Sequence, residues 1–142
     1  MKKVKALLQG RGPVWSVAPG DTVLRALEVL AEKGVGALLV MEGENLVGII
    51  SERDYARKIA LRGKTSLETR VADIMVEDVL YVTPEQTTDD CMALMSSKRI
   101  RHLPVLEQRK VVGMLSIGDL VKNLLEEQKN TIEQLEQYIR GS

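Results

Sequence analysis

The sequence contains no phenylalanine, and aromatic residues of any kind make up only 3% of it. Its core must therefore be built from Val, Leu, Ile, Met and Ala, and it lacks the aromatic platforms on which single-stranded nucleic acids stack. An excess of one charge is missing too. The 20 Lys and Arg balance 20 Asp and Glu, so neither nucleic acid nor an anionic membrane surface is the expected partner. The single cysteine, Cys91, has no mate in the chain, which suits a reducing compartment. The single histidine, His102, makes a poor metal site, because zinc takes three or four ligands and no Cys/His cluster accompanies it. Long hydrophobic runs are absent. Val4-Lys5-Ala6-Leu7-Leu8 is too short for a signal-peptide core, and nothing approaches the roughly 20 apolar residues of a membrane span. No nucleophile–base pair stands out, and Gly10-Arg11-Gly12 matches no phosphate loop. These absences point to a cytoplasmic protein that is not an enzyme and holds no metal.

What is present is a repeat. The chain has 142 residues, of which 44% are apolar, enough to bury a core. A constant offset lays Val14 to Ile59 onto Val79 to Leu124 without a gap. Identical pairs include Val17/Val82, Pro19/Pro84, Thr22/Thr87, Leu38/Leu103, Val40/Val105, Gly48/Gly113, Ser51/Ser116 and Asp54/Asp119. Many other pairs match apolar with apolar, and an ungapped match of this length is an internal duplication.

Both copies have the same order of elements. A short strand, Val14 to Val17 or Val79 to Val82, runs into a proline. Thr22 and Thr87 stand as N-caps ahead of a helical stripe, Val23, Leu27 and Leu30 in the first copy and Cys91 with Met95 in the second. Cys91 thereby reads as core. Gly34 ends the first helix, whereas Arg99 occupies that place in the second. Two apolar runs separated by a short polar turn then form a hairpin, Ala37 to Ile50 and Leu103 to Leu115. Ser51 and Ser116 open a second helix. The pattern is βαββα, twice. One copy of about 45 residues has too little core to be stable alone, so two pseudo-twofold-related copies packed sheet to sheet are expected, an α/β (α+β) fold. The division is a lead-in over 1-13, repeats over 14-59 and 79-124, a linker over 60-78, and a C-terminal helix extension over 125-142. Val71 to Met75 in the linker reads as a helical turn capped by Asp73.

At Gly48-Ile49-Ile50-Ser51-Glu52-Arg53-Asp54 and Gly113-Met114-Leu115-Ser116-Ile117-Gly118-Asp119 the spacing Gly-apolar-apolar-Ser-x-x-Asp resembles the ligand motif of CBS domains. The Val-x-Asp-Ile-Met linker and Arg101-His102-Leu103-Pro104-Val105 agree with that resemblance, which covers most of the chain. It implies a Bateman module of the short stand-alone type. Such modules bind adenosyl ligands such as AMP, ATP or NAD in clefts between two repeats, and they regulate rather than catalyse.

Carried onto this chain, the resemblance gives each residue a role. A carboxylate can accept both hydroxyls of a ribose, and Asp54 and Asp119 are the candidates. Ser51 and Ser116, at helix starts, stand where phosphate is favoured. Arg53 adds a cation in the first copy, where the second has Gly118. Arg101 and His102 begin a strand and are the counterparts of Gly36 and Ala37, so one copy is basic there and the other small. Adenine would lie against Val14, Trp15, Leu38, Val79, Leu80 and Leu103. The two sites should therefore differ in affinity or ligand. Each motif also has a plain structural reading: the serines as N-caps, the aspartates as first-turn carboxylates favoured by the helix dipole, Arg53 as a solvated side chain, and Trp15 as core. If those readings exhausted the motifs, the chain would be a structural or partner-binding module with degenerate sites.

The segment Asp119 to Ile139 carries apolar residues at helical spacing well past the repeat. This surplus stripe suggests a homodimer. The regulated protein is not named by the sequence.

Overall fold

The computed structural model describes residues 2–141. Met1, at the head of the lead-in, and Ser142, at the end of the C-terminal extension, lie outside the described residues. The fold mixes helices with two small sheets, one of three strands and one of two, and ends in a long C-terminal helix. The chain forms two compact units. One comprises residues 12–80 with 108–112; the other comprises the chain up to Arg11, residues 81–107, and the chain from Gly113 on.

The first unit holds the first repeat. Strand β1 (Ser16–Val17) pairs in parallel with β2 (Ala37–Glu42), which pairs antiparallel with β3 (Asn45–Ser51). Between β1 and β2 runs α2 (Val23–Lys33), whose Thr22 hydroxyl accepts from the Arg25 N–H at 3.1 Å, as an N-cap should. Gly34 ends it in the left-handed conformation at φ 63°. Val23, Ala26 and Leu30 on the inner stripe of α2 pack with Leu38, Val40 and Ile50 of the sheet. The second helix is shorter than its repeat pattern suggests. It comprises α3 (Glu52–Tyr55), followed by one π-helical turn over Ala56–Ala60. The expected linker turn is α4 (Val71–Ile74), with the Asp73 carboxylate accepting from the Arg70 N–H at 3.3 Å.

The second unit, which holds most of the second repeat, follows the plan with a weaker first strand. Residues 79–82 form no strand; Val82 alone makes a parallel bridge to Val105, the counterpart of the Val17–Val40 pair in β1 and β2. Helix α5 (Thr88–Lys98) is capped by Thr87 and ends at Arg99, which takes the left-handed conformation at φ 55° despite its side chain. Strands β4 (His102–Glu107) and β5 (Lys110–Ser116) follow. Helix α6 (Ile117–Ile139) runs unbroken through the expected boundary at residue 124. Cys91 is fully buried in this unit, and burial pushes its thiol pKa up to about 11. Among the described residues, no helix is long and apolar enough to cross a membrane.

The lead-in is a structured part of the second unit. Helix α1 (Val4–Leu8) bonds to the turn before α5: the Val4 N–H donates to the Gln86 carbonyl at 2.8 Å and the Lys5 N–H to the Pro84 carbonyl at 3.0 Å. In the first unit α4 does the same to the turn before α2, Val71 to Asp21 at 2.8 Å and Ala72 to Pro19 at 3.0 Å. The duplication thus includes α1 and α4, which the ungapped alignment leaves out. This pairing explains the motif glycines. A Cβ on Gly48 would come within 2.6 Å of Met75 Sδ, and one on Gly113 within 2.6 Å of Leu8 Cδ2. The helical segments α4 and α1 thus press a side chain on the motif glycine of the repeat they pair with, and a larger residue there would have to displace it.

Candidate functional site

Each repeat ends its hairpin at a serine that starts a helix, and each serine–aspartate pair is closed on itself. The Ser116 hydroxyl accepts from the Asp119 N–H at 3.2 Å, while Asp119 Oδ2 accepts from the Ser116 N–H at 2.8 Å. This reciprocal capping box satisfies two backbone donors that the helix itself cannot reach. Ser51 and Asp54 repeat it, at 3.3 Å and 2.9 Å, and the Ser51 hydroxyl also lies 2.9 Å from Asp54 Oδ2. The structural reading of these residues as caps therefore holds. It leaves Oδ1 of each carboxylate outside the cap.

What faces Oδ1 differs between the repeats. Asp119 Oδ1 lies 2.7 Å from an Arg11 guanidinium nitrogen. Arg11 is itself fixed, donating to the Leu7 carbonyl at 3.1 Å and the Met114 carbonyl at 3.3 Å. Burial works to raise the Asp119 carboxyl, but the Arg11 hydrogen bond, the Ser116 backbone donor and the Arg11 charge together hold it below the usual carboxylate range. Asp54 Oδ1 instead lies 3.5 Å from Lys58 on the next turn, and Lys58 also donates to the Ile74 carbonyl at 2.8 Å. Sequence reasoning did not select Arg11 or Lys58. Lys58 was findable from its helical spacing to Asp54, whereas Arg11 is distant in sequence from the carboxylate it meets.

The remaining residues fall into place around these ends. The carbonyl of Arg101 accepts from the Ile117 N–H at 2.8 Å, and that of Gly36 accepts from the Glu52 N–H at 3.1 Å. Each strand start is thus tied to the helix start of its own repeat. The same bonds occupy first-turn amides: Ile117 and Asp119 in α6, Glu52 and Asp54 in α3. Arg53 and Arg101 are exposed and His102 is half-buried. Ala37, Leu38 and Leu103 are buried, with Leu38 in the packed core of its unit. Val14, Val79 and Leu80 are half-buried in the first unit. Trp15 is 38% exposed, and Lys33 Nζ lies 4.2 Å from its ring centroid, so a cation already covers part of it.

Two hairpin-helix units, each with a Ser-x-x-Asp cap, define a tandem repeat of one small domain. The CBS-domain family matches the chain twice, over residues 4–61 and 71–126. The chain belongs to the CBS-domain family as a tandem pair. It is 43% identical over 126 residues to the CBS domain-containing protein CBSX3, mitochondrial, of Arabidopsis thaliana, a match covering 85% of this chain and 61% of that one. It thus spans less than two thirds of that relative. It is similar to a putative signal-transduction protein with CBS domains from Burkholderia ambifaria, with 46% identity and a TM-score of 0.86 over 89% of this chain and 96% of that one. The CBS domain pair of protein MJ0100, solved in complex with 5-methylthioadenosine and S-adenosyl-L-methionine, shares the fold at 23% identity and a TM-score of 0.79, over 89% of this chain and 98% of that one.

Proposed function

We propose that this CBS pair is a regulatory module that binds an adenosyl ligand of the AMP, ATP or NAD type and carries out no catalysis. The observation that carries the reading is the state of the two aspartates. Each spends one carboxylate oxygen on its helix cap and turns the other toward a cation at the surface of its unit. An ionised oxygen held rigidly in that way suits a pair of ribose hydroxyls. The fold shared with MJ0100, whose pair was solved with two adenosyl compounds, supports the same class of ligand. Arg53, Arg101 and His102 supply the positive charge for phosphate, because the cap and the strand carbonyls already use most first-turn amides. Ser51 and Ser116 hold the aspartates in position. Gly36 and Ala37, the small counterparts of Arg101 and His102, leave space for the base, with Val14, Trp15, Val79 and Leu80 as its apolar surroundings. Leu38 backs that surface from the core of the first unit, and Leu103 is its buried counterpart in the second. The ungapped part of the repeats runs over 14-59 and 79-124, and the chain works as a homodimer that passes its ligand state to a regulated protein.

A second reading has one observation in its favour. Both aspartates already own internal cations, as they would in a partner-binding module whose ligand sites are unused. Calorimetric titration with AMP, ATP, NAD and S-adenosylmethionine separates the two. Saturable binding of one compound, weakened at least tenfold by Asp119→Ala in a variant that unfolds normally, is the expected result. Binding of none of them, by protein free of co-purified nucleotide, transfers the assignment to the partner-binding reading.

A further inference from the structure

Helix α6 touches its own unit on one face only. Leu120 and Asn123 are its buried residues, and from Gln128 to Gly141 every residue is exposed. A helical segment of that length is marginal in water when nothing covers it. Its exposed face is not polar. Val121, Leu125, Ile132, Leu135 and Ile139 recur at alternating spacings of three and four, with Gln128 completing the series. Leu125, Ile132, Leu135 and Ile139 are each at least 55% exposed. This is the a/d seam of a coiled coil. It lies opposite the Leu120–Asn123 face, so the helix cannot bury it by folding onto its own unit.

Resting on the homodimer reading above, we propose that the seam is covered by α6 of a second copy of this chain, running antiparallel. The charges flanking the seam choose both the occupant and the direction. In the antiparallel register Leu125 faces Leu135 of the other copy, and Val121 faces its Ile139. Lys122 then meets Glu136 of the other copy, twice by symmetry, and Leu124 meets Tyr138. In a parallel pair Lys122 would flank Ile117, Lys129 would flank Leu124, and Glu136 would flank Thr131, with no ion pair anywhere. The antiparallel arrangement sets Lys129 near its own mate at the solvated rim, where each has Glu126 and Glu133 of its own helix for neighbours. Gln128 is the one polar residue in the seam, and a lone polar residue there fixes register at a cost in stability.

The test uses the full chain. Sedimentation equilibrium should find a dimer that Ile132→Glu with Leu135→Glu turns into a monomer, with the thermal unfolding of the units retained, since both positions are exposed. Lys122→Glu alone should weaken the dimer about tenfold, and adding Glu136→Lys should restore it. Oxidising a mixture of Leu125→Cys and Leu135→Cys chains should give mixed disulfides, with buried Cys91 silent. Self-linked Leu125→Cys dimers would mean a parallel pair and overturn the proposal. A dimer untouched by the Glu substitutions overturns it too, while leaving the homodimer reading in place. A wild-type chain that stays monomeric at high concentration removes both.

Discussion

Arg11 and Asp119 join the lead-in to the start of α6, and their pairing has a definite pH signature. The Asp119 carboxyl is held below its ordinary value in the folded protein. Its contribution to stability is therefore fully present above the ordinary carboxylate pKa and is lost as pH falls through the folded value. Arg11→Ala should cost about 1 kcal/mol near neutral pH, the upper end for a partly exposed pair. The gap between wild type and variant should close at a pH well below the folded pKa of Asp119, where the carboxylate is protonated in both. Urea titrations at the two pH values measure this directly, and a gap of constant size would show that Arg11 acts through packing rather than charge. Ser116 and Asp119 were legible in the sequence because a capping box has fixed spacing. Arg11 was not, because an ion pair between distant segments leaves no local pattern.

Among the elements, the hairpins were read correctly because apolar runs broken by a polar turn of four residues admit few other structures. The two turns nonetheless differ in chemistry. The β2–β3 turn has Gly43 at φ 60°, whereas the β4–β5 turn places Gln108 and Arg109 at φ 51° and 68°. Two consecutive positive φ values define the tight turn that matches strand twist, and Asn-Gly is its preferred sequence. Replacing Gln108-Arg109 with Asn-Gly should stabilise the protein by about 1 kcal/mol, since left-handed backbone costs roughly that much per ordinary residue. A chemical-denaturation midpoint that rises at constant slope would bear this out; an unchanged midpoint would mean that the side chains lost had compensated the strain. Helix α1 escaped the sequence reading for a different reason. Val4 pairs with Val71 and Leu8 with Met75 at a different offset from the rest of the repeat, so a gapless comparison skips them. Their work is done by backbone bonds and one apolar contact on a glycine, which constrains residue identity weakly. The short strands failed in the opposite direction. Val79 to Val82 has the composition of a strand, but within it only Val82 finds a bridge partner, Val105 of β4.

At the scale of the whole molecule, duplication supplies two Ser-x-x-Asp ends, and divergence has made them unequal. Asp119 meets a guanidinium that is anchored by two carbonyls, while Asp54 meets a lysine on its own helix. The anchored guanidinium holds the Asp119 carboxyl below the ordinary carboxylate range. The Asp119 end should therefore fill first. Any ligand that binds only the folded chain stabilises it, by about 2.7 kcal/mol at a hundredfold excess over Kd. For a chain of this length that corresponds to a rise in Tm of about 5–10 °C. Scanning calorimetry at that excess should show the rise in wild type, most of it in Asp54→Asn, and less than half in Asp119→Asn. Equal losses in the two variants would mean that the divergence around Arg11 has no bearing on binding. A full shift in both would place the ligand away from the aspartates altogether and leave the capping boxes as purely structural features.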